Sequence, residues 1–198
     1  MSRFFESIQV NKGKLVNLEF HQERFERTRR AALGLIQHPR LEQLIELPQG
    51  LDKGLFKCRV TYRKEVELIE YEPRIPHKIR SLKLVRSDSI DYAYKYQDRS
   101  KLNELFELRE GKDDILIVKD NCITDSYFAN VLFWDGKEWL TPDTPLLPGI
   151  MRAFLMHMGL IRECRITRAD LNRFQKVKLI NAMNDLQTAP EIHVNSIH

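Results

Sequence analysis

The chain has 198 residues, 42% hydrophobic and 30% charged, with 32 basic against 28 acidic side chains for a formal charge of +4. That length holds roughly one to one and a half average domains and a real core. Apolar residues recur throughout with no low-complexity stretch, which excludes a long disordered chain. No apolar run approaches the ~18 residues of a membrane span. The opening Met1-Ser2-Arg3-Phe4-Phe5-Glu6 lacks the basic-then-apolar pattern of a secretion signal, so a cytoplasmic protein without a membrane partner is expected.

Cys58, Cys122 and Cys164 are an odd number at wide spacing, with no Cys-x-x-Cys pair, and cysteine's burial habit assigns them to packed interiors. The 6 histidines are scattered, and no pair has metal-ligand spacing, so no metal is expected. Basic residues gather at Arg24, Arg27, Arg29 and Arg30 and again at Arg80, Lys83 and Arg86. Glu23 and Glu26 interleave with the first group as on a solvated helix face. The aromatic-plus-basic platform of a single-strand binder is not evident, so no nucleic-acid partner is expected.

Residues 4–10 partly alternate and predict a strand, Asn11-Lys12-Gly13-Lys14 has turn chemistry, and 15–18 resume an extended run, together a hairpin. From His21 to Ile36 the period becomes helical, with Phe25, Leu33 and Ile36 among charges; 39–47 predict a second short helix. Strands follow at 57–62, 65–71 and 82–85, so that the first half reads as a sheet with a helix packed on it, an α+β layer. The second half offers an amphipathic helix at 100–109 and an apolar strand at 114–118. A turn at Asp120-Asn121 follows, then strands at Ile123 and 129–134, the latter a hairpin partner of 138–140. Prolines 142, 145 and 148 punctuate a loop that ends at Gly149 before a helix over 150–158, and strands are predicted at 162–166 and 176–180. The last ten residues show little pattern and are expected to fray. Two α/β lobes, 1–86 and 91–198, fit this order best.

Three segments carry chemistry. Leu147-Pro148-Gly149-Ile150-Met151-Arg152 opens a helix, and a glycine there leaves the first backbone N–H groups open to an anion. Thr124-Asp125 begins a polar run between apolar strands, where a carboxylate either caps a turn or serves a site. Lys95 stands among Tyr92, Tyr94 and Tyr96, and a lysine in a partly apolar pocket near another cation loses pKa and becomes a nucleophile; a surface lysine is the plainer alternative.

In this order the segments resemble the aminotransferase class IV family, the fold type IV enzymes that use pyridoxal 5'-phosphate. Phe5-Glu6-Ser7-Ile8, Gly13-Lys14-Leu15 and His21-Gln22-Glu23-Arg24-Phe25 look like that family's opening, which implies that Arg24 grips the cofactor phosphate. Lys95-Tyr96-Gln97-Asp98-Arg99 is similar to its Lys-x-x-Asn-Arg form, which implies that Lys95 is the catalytic residue and binds the cofactor's aldehyde. The run from Thr124 to Phe133 looks like the segment whose acid pairs with the pyridine nitrogen, here Asp125, with Ala129 and Asn130 in the cofactor-binding set. Gly149, Ile150 and Met151 match the phosphate-binding turn, and Leu140-Thr141-Pro142 and Asn181-Ala182-Met183 follow in register. Three positions depart from the pattern. Asp125 replaces the usual glutamate, Met151 replaces a threonine, and Arg63-Lys64-Glu65-Val66 replaces a glycine-rich loop that in relatives helps bind the substrate carboxylate.

The resemblance implies a fold type IV enzyme, two small lobes with the cofactor cleft between them, acting as a homodimer. Within the family the segments look most like 4-amino-4-deoxychorismate lyases, which release pyruvate to give the folate precursor p-aminobenzoate. An aminotransferase acting on a branched-chain or D-amino acid is the alternative within the enzyme class, and a non-catalytic member of the fold lies outside it. Arg63, Arg80 and Arg99 are the candidates for the substrate carboxylate.

Overall fold

Lys12 and Gly13 both take positive φ, 48° and 70°, the backbone of a two-residue turn whose twist matches that of its strands. In the computed structural model, which describes residues 2–76 and 78–198, this turn returns β1 (Phe4–Asn11) into β2 (Lys14–Leu15) with Asn11 opposite Lys14. Two compact units follow from the contacts, one of residues 2–76 with Tyr94–Asp98, the other of 78–93 with 99–198.

In the first unit, β1 pairs antiparallel along its whole length with β3 (Leu55–Tyr62), which pairs with β4 (Val66–Pro73), giving the order β2-β1-β3-β4. Helix α1 (Leu18–Leu33) starts three residues earlier than its pattern predicts and stops at Gly34, whose left-handed φ of 68° lets its N–H and that of Leu35 turn back to the carbonyls of Arg30 and Arg29. Ile36 therefore lies outside the helix and is 90% exposed. The predicted second helix is a single turn, α2 (Leu41–Leu44). Phe4, Ile8, Val10, Phe25, Val60 and Tyr62 form the core between sheet and helix, each almost wholly removed from water. Full burial of such a side chain contributes about 1.5–3 kcal/mol.

In the second unit, β5 (Leu82–Arg86), α3 (Ser100–Glu107) and β6 (Asp114–Lys119) form a β-α-β crossover, β5 and β6 being parallel. Asp120 and Asn121, with φ of 48° and 64°, make the second tight turn into β7 (Cys122–Ser126). Next come β8 (Asn130–Trp134), β9 (Trp139–Pro142), α4 (Ile150–His157), β10 (Arg162–Cys164), β11 (Lys176–Ile180) and β12 (Glu191–His193). The sheet runs β10-β9-β8-β7-β6-β5, with β11 also on β8 and β12 on β11. Near-continuous apolar runs such as Ile115–Val118 are the sequence of strands covered on both faces.

Two expectations change. The strand over 82–85 was grouped with the first half, yet it pairs with β6 of the second unit, and Tyr94–Asp98 returns to the first, so the units do not divide at 86–91. The last ten residues do not fray: Ile192 is buried in β12, and the His198 N–H and carbonyl bond to Leu82 and Leu84. The cysteines are all free; Cys58 and Cys122 are buried and Cys164 is partly so. Among the described residues no helix is long and apolar enough to cross a membrane.

Candidate active site

Glu6 shares strand parity with Phe4, Ile8 and Val10, so its carboxylate enters the core, where a bare charge would be costly and must be paired. The partners come from α1, three residues apart on one helix face. Arg24 donates Nε to Oε1 at 2.9 Å and Nη2 to Oε2 at 2.5 Å, and His21 Nδ1 lies 2.6 Å from Oε2. Burial opposes ionisation of Glu6, but Arg24 and His21 outweigh it and hold its pKa down at about 2. His21 is pushed down from its usual value by burial first, with the charges of Arg24 and Lys95 adding to it against Glu6. With Glu6 ionised and His21 neutral, Nδ1 carries the proton and donates it. Nε2 is then a buried lone pair without a protein partner among the described residues. Arg24 is left with Nη1 directed at neither Glu6 oxygen.

Lys95 is tied to the edge of β1 by backbone pairing. Its carbonyl accepts from Phe5 N at 3.0 Å, Gln97 N donates to Arg3 O at 2.8 Å, and Phe4 bridges Tyr96. Alternation therefore sends Tyr96 and Tyr94 to Phe4, with ring centroids 5.1 and 6.2 Å away, while Lys95 turns to the other side. Its Nζ lies 4.8 Å from the centroid of Phe5. The apolar neighbour expected for the lysine exists, but it is Phe5 rather than the flanking tyrosines.

In the second unit, Asp125 of β7 faces Asn130 of β8 across the strand pair. Asp125 Oδ1 accepts from Asn130 Nδ2 at 2.8 Å, and Oδ2 accepts from Leu147 N at 2.9 Å; Asn130 Nδ2 also reaches Leu147 O at 2.9 Å. The two side chains thus clamp the proline-punctuated loop just before α4. Burial drives the Asp125 pKa up to about 6 against those hydrogen bonds. Gly149 is the N-cap of α4 with no side-chain cap, so the first N–H groups of the helix, those of Ile150 and Met151, have no intrahelical partner. Arg152 secures the same turn by donating to Pro142 O at 3.1 Å and pairing with Glu163.

Of the residues expected on resemblance, Arg24 and Lys95 both belong to the first unit but stand on opposite faces of its sheet, while Asp125, Asn130, Gly149, Ile150 and Met151 gather around one turn in the second. Ala129 is otherwise engaged. Its N–H bonds Ser126 Oγ, its carbonyl accepts from Ser126 N, and its methyl lies in the core. The Met151 side chain packs with Leu132 and Leu155, which leaves only its N–H to offer. Glu6 lies outside the expected set, although the sequence carries its signal: a carboxylate in step with Phe4, Ile8 and Val10 on a strand's apolar face. Arg59, too, lies outside it.

Taken one by one, the units carry donor types that fit parts of a phosphorylated aldehyde with a ring nitrogen. The first holds an amine and a guanidinium N–H, with the buried, unpartnered His21 Nε2 on the α1 side; the second holds helix N-terminal N–H groups and a buried carboxylate.

Comparisons with known proteins bear on this set. The profile of the family described as Amino-transferase class IV matches residues 95–192. An uncharacterised protein of Haemophilus influenzae is 39% identical over 188 residues, covering 94% of this chain and 100% of its own. A crystal structure from Haemophilus somnus, provisionally named a 4-amino-4-deoxychorismate lyase, is 32% identical with a TM-score of 0.89, over 94% of this chain and 98% of that one. A hypothetical aminotransferase of Mycobacterium tuberculosis, solved with pyridoxal phosphate bound, has a TM-score of 0.78 at 17% identity, covering 99% and 81%, a likeness of fold.

Proposed function

The chain belongs to the aminotransferase class IV family, with the fold type IV architecture, and we propose that it is a pyridoxal-phosphate-dependent lyase that converts 4-amino-4-deoxychorismate to p-aminobenzoate and pyruvate. The family implies the cofactor. The single observation that carries the lyase reading is the 32% identity, over nearly the whole of both chains, to the provisionally named lyase of Haemophilus somnus.

Bound pyridoxal phosphate supplies an electron sink for the substrate's amine-bearing carbon. The chain's residues do the rest. In the first unit, Lys95 Nζ is the amine that would hold the cofactor by its aldehyde and, once released, would carry a proton from the substrate to the departing group. Arg24 Nη1 is the anion contact; Glu6 fixes the guanidinium plane through two bonds and cancels its charge, so that pair is neutral before any phosphate arrives. Neutral His21 adds orientation without adding charge. In the second unit, Asp125 is the acid that holds a proton against a ring nitrogen, and the N–H groups of Ile150 and Met151 are the anion contacts. One ring C–O bond breaks, the enolpyruvyl group leaves as pyruvate and the ring becomes aromatic, with no other reactant consumed.

The test is the visible spectrum of the protein with pyridoxal phosphate, wild type beside Lys95→Ala, followed by pyruvate release from 4-amino-4-deoxychorismate. A band above 400 nm confined to wild type, with pyruvate and p-aminobenzoate in equal amounts, is the expected result. Conversion of the cofactor to its amine form by common L- or D-amino acids, without pyruvate release, would make the enzyme an aminotransferase instead. The same reading includes a homodimer, which sedimentation tests; an active monomer would contradict it.

A further inference from the structure

The sheet of the first unit turns one face to α1 and its core. The other face carries Phe5, Lys95 and, from β3, Arg59. Arg59 Cζ lies 4.1 Å from the centroid of the Phe5 ring, the ring that Lys95 Nζ approaches to 4.8 Å. The two cationic centres are therefore no more than about 9 Å apart, with one aromatic ring between or beneath them. A guanidinium over a ring is held by the π-system without using its N–H groups, which stay available to an acceptor. Arg59 makes no ion pair among the described residues. Glu70 is directly opposite it on β4, and yet the side chain leans to Phe5.

The other arginines considered for a carboxylate are differently placed. Arg63 and Arg3 both form ion pairs with Glu67, at 3.0 and 2.8 Å, and the cavity they line with Gln97 and Asp98 holds a second carboxylate, so its charges balance. Arg99 donates to Tyr127 O and lies over the Tyr127 ring at 4.2 Å. Arg80 belongs to the second unit.

We propose that Arg59 is the substrate-carboxylate residue, its guanidinium held against the Phe5 ring so that its N–H groups receive the carboxylate of a small molecule whose amine engages Lys95. This rests on the reading of Lys95 as the amine-exchanging lysine. A carboxylate in a forked pair sits about 4 Å from the guanidinium carbon, which leaves at most about 5 Å of span. The substrate class is thus an amine with a carboxylate a few bonds away. In this chain the tight β3–β4 connection replaces the glycine-rich loop, and a strand residue takes up the task.

The experiment compares ligand pairs that differ only in the carboxylate, p-aminobenzoate against aniline and L- or D-alanine against ethylamine. Binding to the pyridoxal-phosphate-loaded protein is followed through the cofactor band and by calorimetry. Wild type should prefer the carboxylate member of at least one pair by ten- to a hundred-fold, the weight of a charge-assisted forked bond. Arg59→Gln should erase that preference while the cofactor band stays. Arg59→Lys, which keeps the charge and loses the fork, should retain only part of it, and Arg27→Gln on the exposed side of α1 should leave it whole. A preference that survives in Arg59→Gln, or one absent from wild type in every pair, overturns the proposal. Failure to release pyruvate from 4-amino-4-deoxychorismate with the Arg59-dependent preference intact would sink the lyase reading alone.

Discussion

A Cβ on Gly149 would stand 1.9 Å from Asn130 Oδ1 and 3.1 Å from its Cγ. Gly149 has φ −80° and ψ 153°, a backbone any residue adopts, so space and not conformation demands the glycine. Asn130 cannot yield freely, because its amide is tied to Asp125 and to Leu147 O. Gly149→Ala should therefore cost about 1–3 kcal/mol of stability in chemical denaturation, through loss of those bonds and overpacking. In an Asn130→Ala background the same substitution should cost clearly less. Equal costs in the two backgrounds would show that the two positions are uncoupled.

Glu6 is the centre of the buried charges of the first unit. Glu6→Ala leaves Arg24 buried without its carboxylate and should lower stability by about 3–5 kcal/mol, with Glu6→Gln recovering part through its remaining acceptor. Both should also weaken pyridoxal phosphate binding, because the guanidinium is no longer held in one plane. Denaturant unfolding of the cofactor-free protein, together with cofactor titration, measures the two effects separately.

Stability should rise and then fall as the pH is lowered. Asp114 and Asp125 have folded values of about 6 against an ordinary 3.8, since burial favours their neutral forms. Their contribution is fully present below pH 3.8 and is lost as pH rises through 6. Glu6 has the opposite sign: it goes from 4.5 to about 2 on folding, so its contribution is present above 4.5 and is lost as pH falls through 2. Asp170, held at about 2 mainly by hydrogen bonds from Thr167, steepens the acid limb. Urea midpoints between pH 2 and 8 should flatten on the acid side in Glu6→Gln and on the neutral side in Asp125→Asn; unchanged limbs would refute the assignments.

Asp125→Asn preserves shape and fails on hydrogen bonding. Both carboxylate oxygens receive N–H groups, from Asn130 and from Leu147, so either orientation of an amide sets an NH2 against a donor. A loss of about 1–3 kcal/mol is expected. If this acid holds a proton on the cofactor's ring nitrogen, turnover should fall further than cofactor affinity does. A variant with full turnover would remove Asp125 from the chemistry.

The local chemistry of the chain determined much of this molecule. Asn11-Lys12-Gly13 and Asp120-Asn121 made their turns because few residues accept positive φ. The change from a period near 2 to one near 3.6 located α1, α3 and α4 to within a few residues. The motifs around Arg24, Lys95, Asp125 and Gly149 were legible through their joint order, which resembles the family, while each alone has a plainer structural reading. Tertiary structure decided what depends on partners far away in the chain. A strand such as Leu82–Arg86 carries no mark of which sheet it joins, since a parallel neighbour arrives only after a crossover. The alternation of Tyr94, Lys95 and Tyr96 was visible, but which side faced the core was fixed by Phe4 and Tyr62. The pairing of Glu6 with Arg24, the seat of Asn130 against Gly149 and the leaning of Arg59 onto Phe5 each join residues 18 or more positions apart, brought together by burial and strand register, which the sequence encodes only collectively.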